Sequence, residues 1–445
     1  MRTEKKKILL HFKSDKFLRV FHNSQLKKEL EKKYEIFFLM GDGSRFRHII
    51  SKKKTLIYQR GLNSKFILKY PIKFLIYIIY RIIDILLLKN INFESVTYRH
   101  NLIKKIGFQY IKKKNKNIKF DFKKEYYSGN FLNPIYGFPF PENKFLFKIF
   151  KGIFLSKYFI HPGFYDLLKK KKFSAIIYFH LQNKEVFFIK NAAKFLGYKQ
   201  INIIYGWDQP TLKGCVAANK DEKIITTNKQ LKLDLKQFHN FPNSNLINLG
   251  NFFLEDFLKK RKKFKSKKIV IFYALNTIRG AGNEIEVIKN IINFFVRQKI
   301  KYKLVLRPHP HDRYYFKEIL KFKNSHIEIM KSTFFDINKL IEKLNESDLV
   351  LTNGTSMFLD ARALNKQCAS LILDKSDLNL QKPHLRFFSK KQHNLIYNNF
   401  REIYKDYKKG ILRKKNFLLD NHYVLPLNKN ITNQYMQFIE NELQK

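Results

Sequence analysis

Five short stretches set chemically capable side chains directly behind apolar runs. They are Gly41–Asp42–Gly43, Trp207–Asp208, the loop from Asn276 through Arg279, Gly280 and Gly282, Arg307–Pro308–His309–Pro310, and Asn353–Gly354–Thr355–Ser356. An arginine can grip a phosphate through two parallel N–H bonds, and a histidine can give a hydrogen bond or a proton to a leaving phosphate. Pro308 and Pro310 fix the backbone on either side of His309. Ser356 stands at the N-cap position of the helical stretch MFLDARALNKQ, with Asp360 inside its first turns. The N–H groups of such a helix start can cradle an anion. Trp207, the only tryptophan in the chain, offers an aromatic platform for a sugar ring or a base, and Asp208 a carboxylate able to take a proton from a hydroxyl. Each stretch has a plainer alternative: a Pro-stiffened strand exit, an ordinary capped helix, packing glycines, or a Trp wedge beside a turn-capping Asp.

In open parallel α/β sheets, ligands bind beyond the carboxyl ends of strands, so the elements around these stretches matter. KKILLHF, YEIFFLM, FSAIIYFH, INIIYGWD, EKIITTN and NLINLGN are short β-rich runs separated by helix-length patterns, the rhythm of βα units and a parallel sheet. Around 252–267, FFLEDFLKKRKKFKSK is charge-dense and lacks strand pattern, which predicts an interdomain connection. A second series follows: KIVIFYAL, YKLVLRPHP, HIEIM, SDLVLTNGTS and CASLILD read as strands. The helix after the first of them places Ile285, Ile288, Ile292 and Phe295 on one stripe. The expected organisation is an N-terminal Rossmann-like domain over 1–251, a connection over 252–267, a second Rossmann-like domain over 268–400, and a basic tail over 401–445 with a weak helical pattern. The length of 445 residues suits two such cores.

The net charge of +52 favours anionic partners, although Lys, Asn, Ile, Phe and Tyr are abundant together and the charge is spread along the chain, as AT-rich coding would leave it. No nucleic-acid-binding motif accompanies the charge, so no specific nucleic-acid partner is expected. Cys215 and Cys368 stand far apart without metal-ligand spacing, which suits a reducing cytoplasm and argues against a zinc site. The start MRTEKKKILLHF lacks the apolar length of a signal sequence. The apolar segment 71–88 is interrupted by Lys73, Arg81 and Asp84, and it reads as a buried or membrane-touching helix and not a span.

The motifs together resemble those of GT-B-fold bacterial surface-polysaccharide glycosyltransferases, a group related to the CDP-glycerol glycerophosphotransferases. Tyr273, Ala274, Thr277 and Arg279 echo a Tyr-Ala-Pro-Thr-x-Arg strand end with one residue inserted. Arg307–Pro310 match an Arg-Pro-His-Pro turn. Ser347, Asp348, Thr352, Ser356 and Asp360 match a Ser-Asp-x-x-x-Thr-Asp-x-Ser-Ser-x-x-x-Asp element in which Asn353 replaces an Asp. Trp207–Asp208 with Lys213–Gly214 is similar to a Trp-Asp-Asn-x-x-x-Lys-Gly segment of surface-carbohydrate glycosyltransferases; the glycerophosphotransferases carry a His where Asp208 stands.

The resemblance implies two α/β domains facing across a cleft and a metal-independent glycosyl transfer from a nucleotide sugar to a surface-glycan or lipid-linked acceptor. Arg279, Gly280, Arg307, His309, Asn353, Gly354, Thr355, Ser356 and Asp360 would bind the donor. Asp42, Trp207 and Lys213 would lie on the acceptor side. Asp208 and His309 would be catalytic, with Asp42, His161 and His180 in reserve as bases. No cofactor is implied, and the expected location is the cytoplasm, peripheral on the anionic inner membrane face. Glycerol- or ribitol-phosphate transfer from a CDP donor on the same fold is one alternative, and a UDP-N-acetylglucosamine 2-epimerase-like enzyme, of a different class, is another.

Overall fold

The computed structural model describes residues 4–12, 15–41, 50–58, 162–182, 184–212, 216–262, 264, 266–275, 284–309, 318–330, 337–352, 354–373, 385–390 and 394–444. The expected helix at 71–88 lies outside them, as do Asp42, His161, Lys213, Arg279, Gly280 and Asn353.

The chain forms two compact units, one over 1–226, 231–248 and 433–445, the other over 227–230 and 249–432. Unit 1 contains β1 (Lys7–Phe12), α1 (Asp15–His22), α2 (Gln25–Lys33), β2 (Glu35–Gly41), β3 (Thr55–Tyr58), α3 (Pro162–Lys169), β4 (Ala175–Tyr178), α4 (Lys184–Phe195), β5 (Lys199–Ile204), α5 (Gln209–Leu212), β6 (Ile224–Thr226), most of α6 (Lys229–His239) and β7 (Leu246–Asn248). Its strands are near-continuous apolar runs because both sheet faces are covered; β1 is buried from Ile8 to Phe12 and β4 throughout. They pair in parallel in the order β3-β2-β1-β4-β5-β6-β7. Gly197 ends α4 in the left-handed region at φ +74, with the Tyr198 N–H reaching back to the Ala193 carbonyl.

Unit 2 contains α7 (Phe252–Lys259), β8 (Ile269–Ala274), α8 (Glu284–Arg297), β9 (Tyr302–Arg307), β10 (Ile327–Ile329), α9 (Ile337–Glu346), β11 (Leu349–Leu351), α10 (Met357–Ala363), β12 (Gln367–Leu371), β13 (Ile396–Tyr397), α11 (Phe400–Lys408) and α12 (Ile411–Tyr423). The sheet order is β10-β9-β8-β11-β12-β13, all parallel. Both units therefore share the doubly wound order in which the chain reverses direction beside the first strand, between β1 and β4 and between β8 and β11.

Two features differ from the sequence expectation, and a third, the weak helical pattern of the tail, resolves into full helices. The stretch expected as a connection opens with α7, whose Phe252, Phe253, Leu254 and Phe257 are buried; its charges masked an amphipathic helix. Glu255 of α7 is buried as well and accepts from the Thr432 N–H at 2.8 Å and its hydroxyl at 2.6 Å. The inward stripe of α8 is Glu284, Val287, Ile288, Ile291 and Phe295, leaving Ile285 and Ile292 half-buried. The region after 400 forms α11, α12 and α13 (Ile431–Gln444). The stripe of α12 is broken in sequence by Asn416, yet Asn416 is buried because its amide pairs with the Cys368 backbone like a strand neighbour, at 2.6 Å to the N–H and 2.8 Å to the carbonyl.

Candidate functional site

In unit 2 the candidate residues converge on the carboxyl edge of the sheet. Register aligns Leu306, Tyr273 and Leu351 across β9, β8 and β11, and sets Arg307 beside Ala274. The Leu275 N–H then bonds the Arg307 carbonyl at 3.0 Å. Arg307 and His309 are half-buried, with Pro308 buried between them. They stand at the end of β9, next to the β8–β11 switch point where ligands of such sheets bind.

On the other side of the switch, the chain leaves β11 through Thr352 and turns at Gly354. The turn is held by the Thr355 N–H to the Thr352 carbonyl at 2.8 Å and the Gly354 N–H to Ser370 Oγ at 3.2 Å. Gly354 has φ +67, a backbone conformation that favours glycine, and a Cβ there would push Leu385 Cδ1 aside from 2.5 Å. Thr352 is fully buried, and among the described residues neither its Oγ1 nor that of Thr355 has a hydrogen-bond partner. An unmet buried hydroxyl costs about 1–3 kcal/mol. Two of them in one turn at a ligand-binding edge are groups that a phosphate or ribose oxygen would satisfy. Ser356 differs from expectation: its backbone is already helical (φ −60, ψ −10) and its side chain makes no cap bond. The helix it opens has 7 residues, with Asp360 half-buried in its first turn, so the side chains of the turn carry more of the anion-binding argument than a helix dipole.

The buried hydroxyl of Tyr273 on β8 donates to the buried carboxylate of Glu284, the first residue of α8. Sequence reading missed this pair; the signal was a glutamate on the apolar stripe of a helix. Cys368 is no nucleophile, since burial pushes its thiol up to about 12.

In unit 1, β5 runs out through Tyr205 and Gly206 into a turn closed by the Gln209 N–H on the Gly206 carbonyl at 3.0 Å. Trp207 is buried and Asp208 half-buried within it. The Asp208 carbonyl accepts from the Thr211 hydroxyl at 3.4 Å, and the Pro210 carbonyl is in hydrogen-bond contact with His239 Nε2 at 2.7 Å. Gln209 was missed by sequence reading. It is buried, and among the described residues neither its amide oxygen nor its nitrogen has a partner. His180 follows β4, the neighbouring strand, buried with Nδ1 3.2 Å from Gln182 Oε1 and its ring edge-on to Phe17. Thus each unit carries orphaned polar groups at its carboxyl edge, beside residues that the sequence singled out.

A pocket of about 390 Å³ opens instead at the amino ends of β5 and β6, lined by Lys194, Tyr198, Asn202, Glu222, Lys223 and Glu442. Its charges answer one another: Glu222 pairs with Lys190 at 2.5 Å and Lys194 at 2.9 Å, and Lys223 with Glu442 at 3.3 Å. Among the described residues no His, Cys, Asp and Glu group could hold a metal ion, and no helix is long and apolar enough to cross a membrane.

No protein-family model matches the chain, and no curated protein matches its sequence. Solved structures do match in fold along the whole length. A glycosyltransferase from Rickettsia africae aligns over 100% of both chains at 10% identity with a TM-score of 0.52. The UDP-GlcNAc 2-epimerase of Neisseria meningitidis, solved with UDP-GlcNAc bound, aligns over 98% of this chain and 100% of its own at 13% identity and TM-score 0.51. That of Methanocaldococcus jannaschii covers 98% and 99% at 11% identity and TM-score 0.53. The likeness is one of fold, and the GT-B-like α/β architecture of paired parallel sheets expected from the sequence is the architecture found.

Proposed function

We propose that the protein is a glycosyltransferase that moves a sugar from a nucleotide-activated donor to a hydroxyl of a surface-glycan or lipid-linked acceptor. The observation that carries this reading is the unit 2 strand edge, where Arg307 and His309 stand on one side of the switch point and the orphaned hydroxyls of Thr352 and Thr355 on the other. Arg307 supplies bidentate hydrogen bonds to the donor phosphates, and His309 a further donor to the leaving phosphate, so that charge developing on it is met without reorganisation. Arg279, Gly280, Asn353, Gly354, Ser356 and Asp360 complete the donor site in this reading. Asp208 is the base: it takes the acceptor hydroxyl proton as that oxygen attacks the anomeric carbon and the bond to the nucleotide phosphate breaks. Trp207, Asp42 and Lys213 bind the acceptor. The chemistry needs no metal in this scheme, because arginine, histidine and the turn carry the charge.

The test separates the donor-side residues from the proposed base. Arg307→Ala and His309→Ala should weaken nucleotide affinity by about tenfold or more each, since a charge-assisted bond is worth about 1.5–3 kcal/mol, with thermal unfolding unchanged. Asp208→Asn should keep donor affinity and lose turnover by about 100- to 10,000-fold. Unaltered nucleotide binding in both donor-side variants would end the assignment. A second reading, a sugar-nucleotide epimerase, draws on the likeness to the two epimerases; it predicts conversion of a nucleotide sugar with no acceptor present, which the same assays detect.

A further inference from the structure

We propose that the outer face of α12, centred on Phe417 and Leu418, is a docking surface for an anionic lipid bilayer. Large apolar side chains are concentrated there on the outside of unit 2. Ile411 is 37% exposed, Phe417 65%, Leu418 41%, and Leu425, just past the helix, 36%. The opposite face is filled by Leu412, Asn416, Leu419 and Tyr423, so the helix is anchored and its outer residues are held at the surface. Helical spacing puts Arg413 one turn from Phe417, and Lys414 one turn from both Phe417 and Leu418. Ile411, Lys414, Leu418 and Asn421 follow the same edge of the helix at three- and four-residue steps.

Along α12 and the turn before it the exposed charge has one sign, because Asp420 and Asp406 turn inward; the exposed acid of α11, Glu402, stands in the first turn of that helix, at the end away from α12. Asp420 takes the fork of Arg362 at 2.7 and 2.9 Å, and Asp406 is held by Lys415 at 2.8 Å and by the Tyr397 hydroxyl at 2.7 Å. Lys408, Lys409, Arg413 and Lys414 remain exposed along the α11–α12 turn and the first turns of α12. An aromatic and aliphatic cluster interleaved with exposed lysine and arginine suits the headgroup level of an anionic leaflet, where rings enter the acyl boundary and ammonium groups meet phosphates. A protein–protein interface core would instead be depleted of lysine. The inference is independent of the transferase chemistry, and it puts the membrane contact in unit 2, far in sequence from the apolar 71–88 segment.

The full-length protein is mixed with phosphatidylcholine vesicles with and without phosphatidylglycerol, and the bound fraction is read by flotation. Binding should require phosphatidylglycerol and fall as salt rises. Phe417→Ser combined with Leu418→Ser, and separately Arg413→Glu combined with Lys414→Glu, should each reduce it about tenfold or more without altering thermal unfolding or nucleotide binding. Trp207 is buried, so the variant Phe417→Trp adds an exposed reporter whose emission should shift to the blue and be quenched by brominated phosphatidylglycerol vesicles. No vesicle binding, binding that survives both paired substitutions, or an unquenched reporter on bound protein would overturn the proposal. Self-association abolished by the serine pair, with no lipid binding, would assign the face to a second copy of the chain and overturn it equally.

Discussion

Two clusters of buried polar groups behave in opposite ways. At the amino edge of the unit 1 sheet, the ammonium of Lys190 is fully buried and completely answered: Asn202 Oδ1 lies at 2.6 Å and Glu222 Oε2 at 2.5 Å, while the Asn202 amide donates to Glu222 at 3.0 Å. At the carboxyl edge of β11 in unit 2, by contrast, the Thr352 and Thr355 hydroxyls are buried with no partner. The orphaned Gln209 carboxamide at the end of β5 repeats this within unit 1 itself. A charge fully enclosed by partners serves the folded chain alone. A polar group that is enclosed and unanswered costs stability. Amino strand ends carry such atoms too, Gln200 Oε1 on β5 and Gln367 Oε1 on β12, so what singles out the β11 turn is the company of Arg307 and His309 across the switch point. Substitution should therefore cost stability at the amino edge and add it at the carboxyl edges.

The largest effect is expected at Glu222. Removing one member of a buried ion pair strands the other, which costs about 3–5 kcal/mol. Glu222→Gln keeps the shape and strands Lys190, so its denaturation midpoint should fall accordingly with an unchanged slope. The pH dependence follows from the carboxyl itself. Burial pushes the Glu222 carboxyl up, but the paired ammonium groups of Lys190 and Lys194 outweigh it and hold it at about 2, below the usual 4.5. A carboxyl lowered in the folded state contributes stability above the unfolded value and loses it as pH falls through the folded one. The advantage of wild type over Glu222→Gln should thus be full above about pH 4.5 and vanish towards pH 2. A constant difference across that window would mean that the cost of the substitution does not come from the charge of the carboxylate.

Next in size is Gln209, where the sign reverses. Its side chain packs on Gly206, whose missing Cβ leaves Gln209 Cγ 3.0 Å from where that atom would lie. Gln209→Met preserves that packing and deletes both orphaned amide groups, so stability should rise by about 1–3 kcal/mol. If the amide serves the acceptor, KM for acceptor should rise while donor affinity holds. A destabilised variant would show that an ordered water already answers the amide, and the contrast between the two edges would shrink to the β11 turn.

Most strands of both units, and their parallel α/β class, were legible because parallel strands buried on two faces appear as uninterrupted apolar runs, as in AIIY of β4 and IVIFYA of β8; the short β3 and β13 were not read. The strand-end placement of Trp207–Asp208 and of Arg307–His309 followed from those runs. Less legible were elements whose inward faces carry polar residues. α7 hides Glu255 against Thr432, α8 turns Glu284 inward to Tyr273, and α12 buries Asn416 on the Cys368 backbone. Hydropathy scores these residues as surface, since their partners are distant in sequence. The orphaned hydroxyls were illegible for the complementary reason: the missing bond at Thr352 is a property of its surroundings and leaves no trace in a residue type that hydrogen-bonds almost everywhere else. Thr352 entered the sequence reading as one letter of a motif, and its burial gives that letter a physical meaning.

The smallest expected effect is the one that tests that meaning most directly. Thr352→Val replaces the hydroxyl by a methyl group of nearly the same shape. In most cores this swap is costly to read because it breaks a hydrogen bond and changes solvation together. At Thr352 there is no bond to break, and the hydroxyl is fully enclosed. Unfolding stability should therefore rise by about 1 kcal/mol. If the hydroxyl serves the donor, nucleotide affinity should fall about fivefold to tenfold at the same time, the worth of one neutral hydrogen bond. Thr352→Ser retains the oxygen and should keep the affinity, so the pair of variants separates the hydroxyl from the methyl. A gain in stability with unchanged affinity would leave the turn without a ligand role and return the donor assignment to Arg307 and His309 alone. A loss of stability would mean that water fills the site in solution, and the Thr352 hydroxyl would then be answered without a ligand.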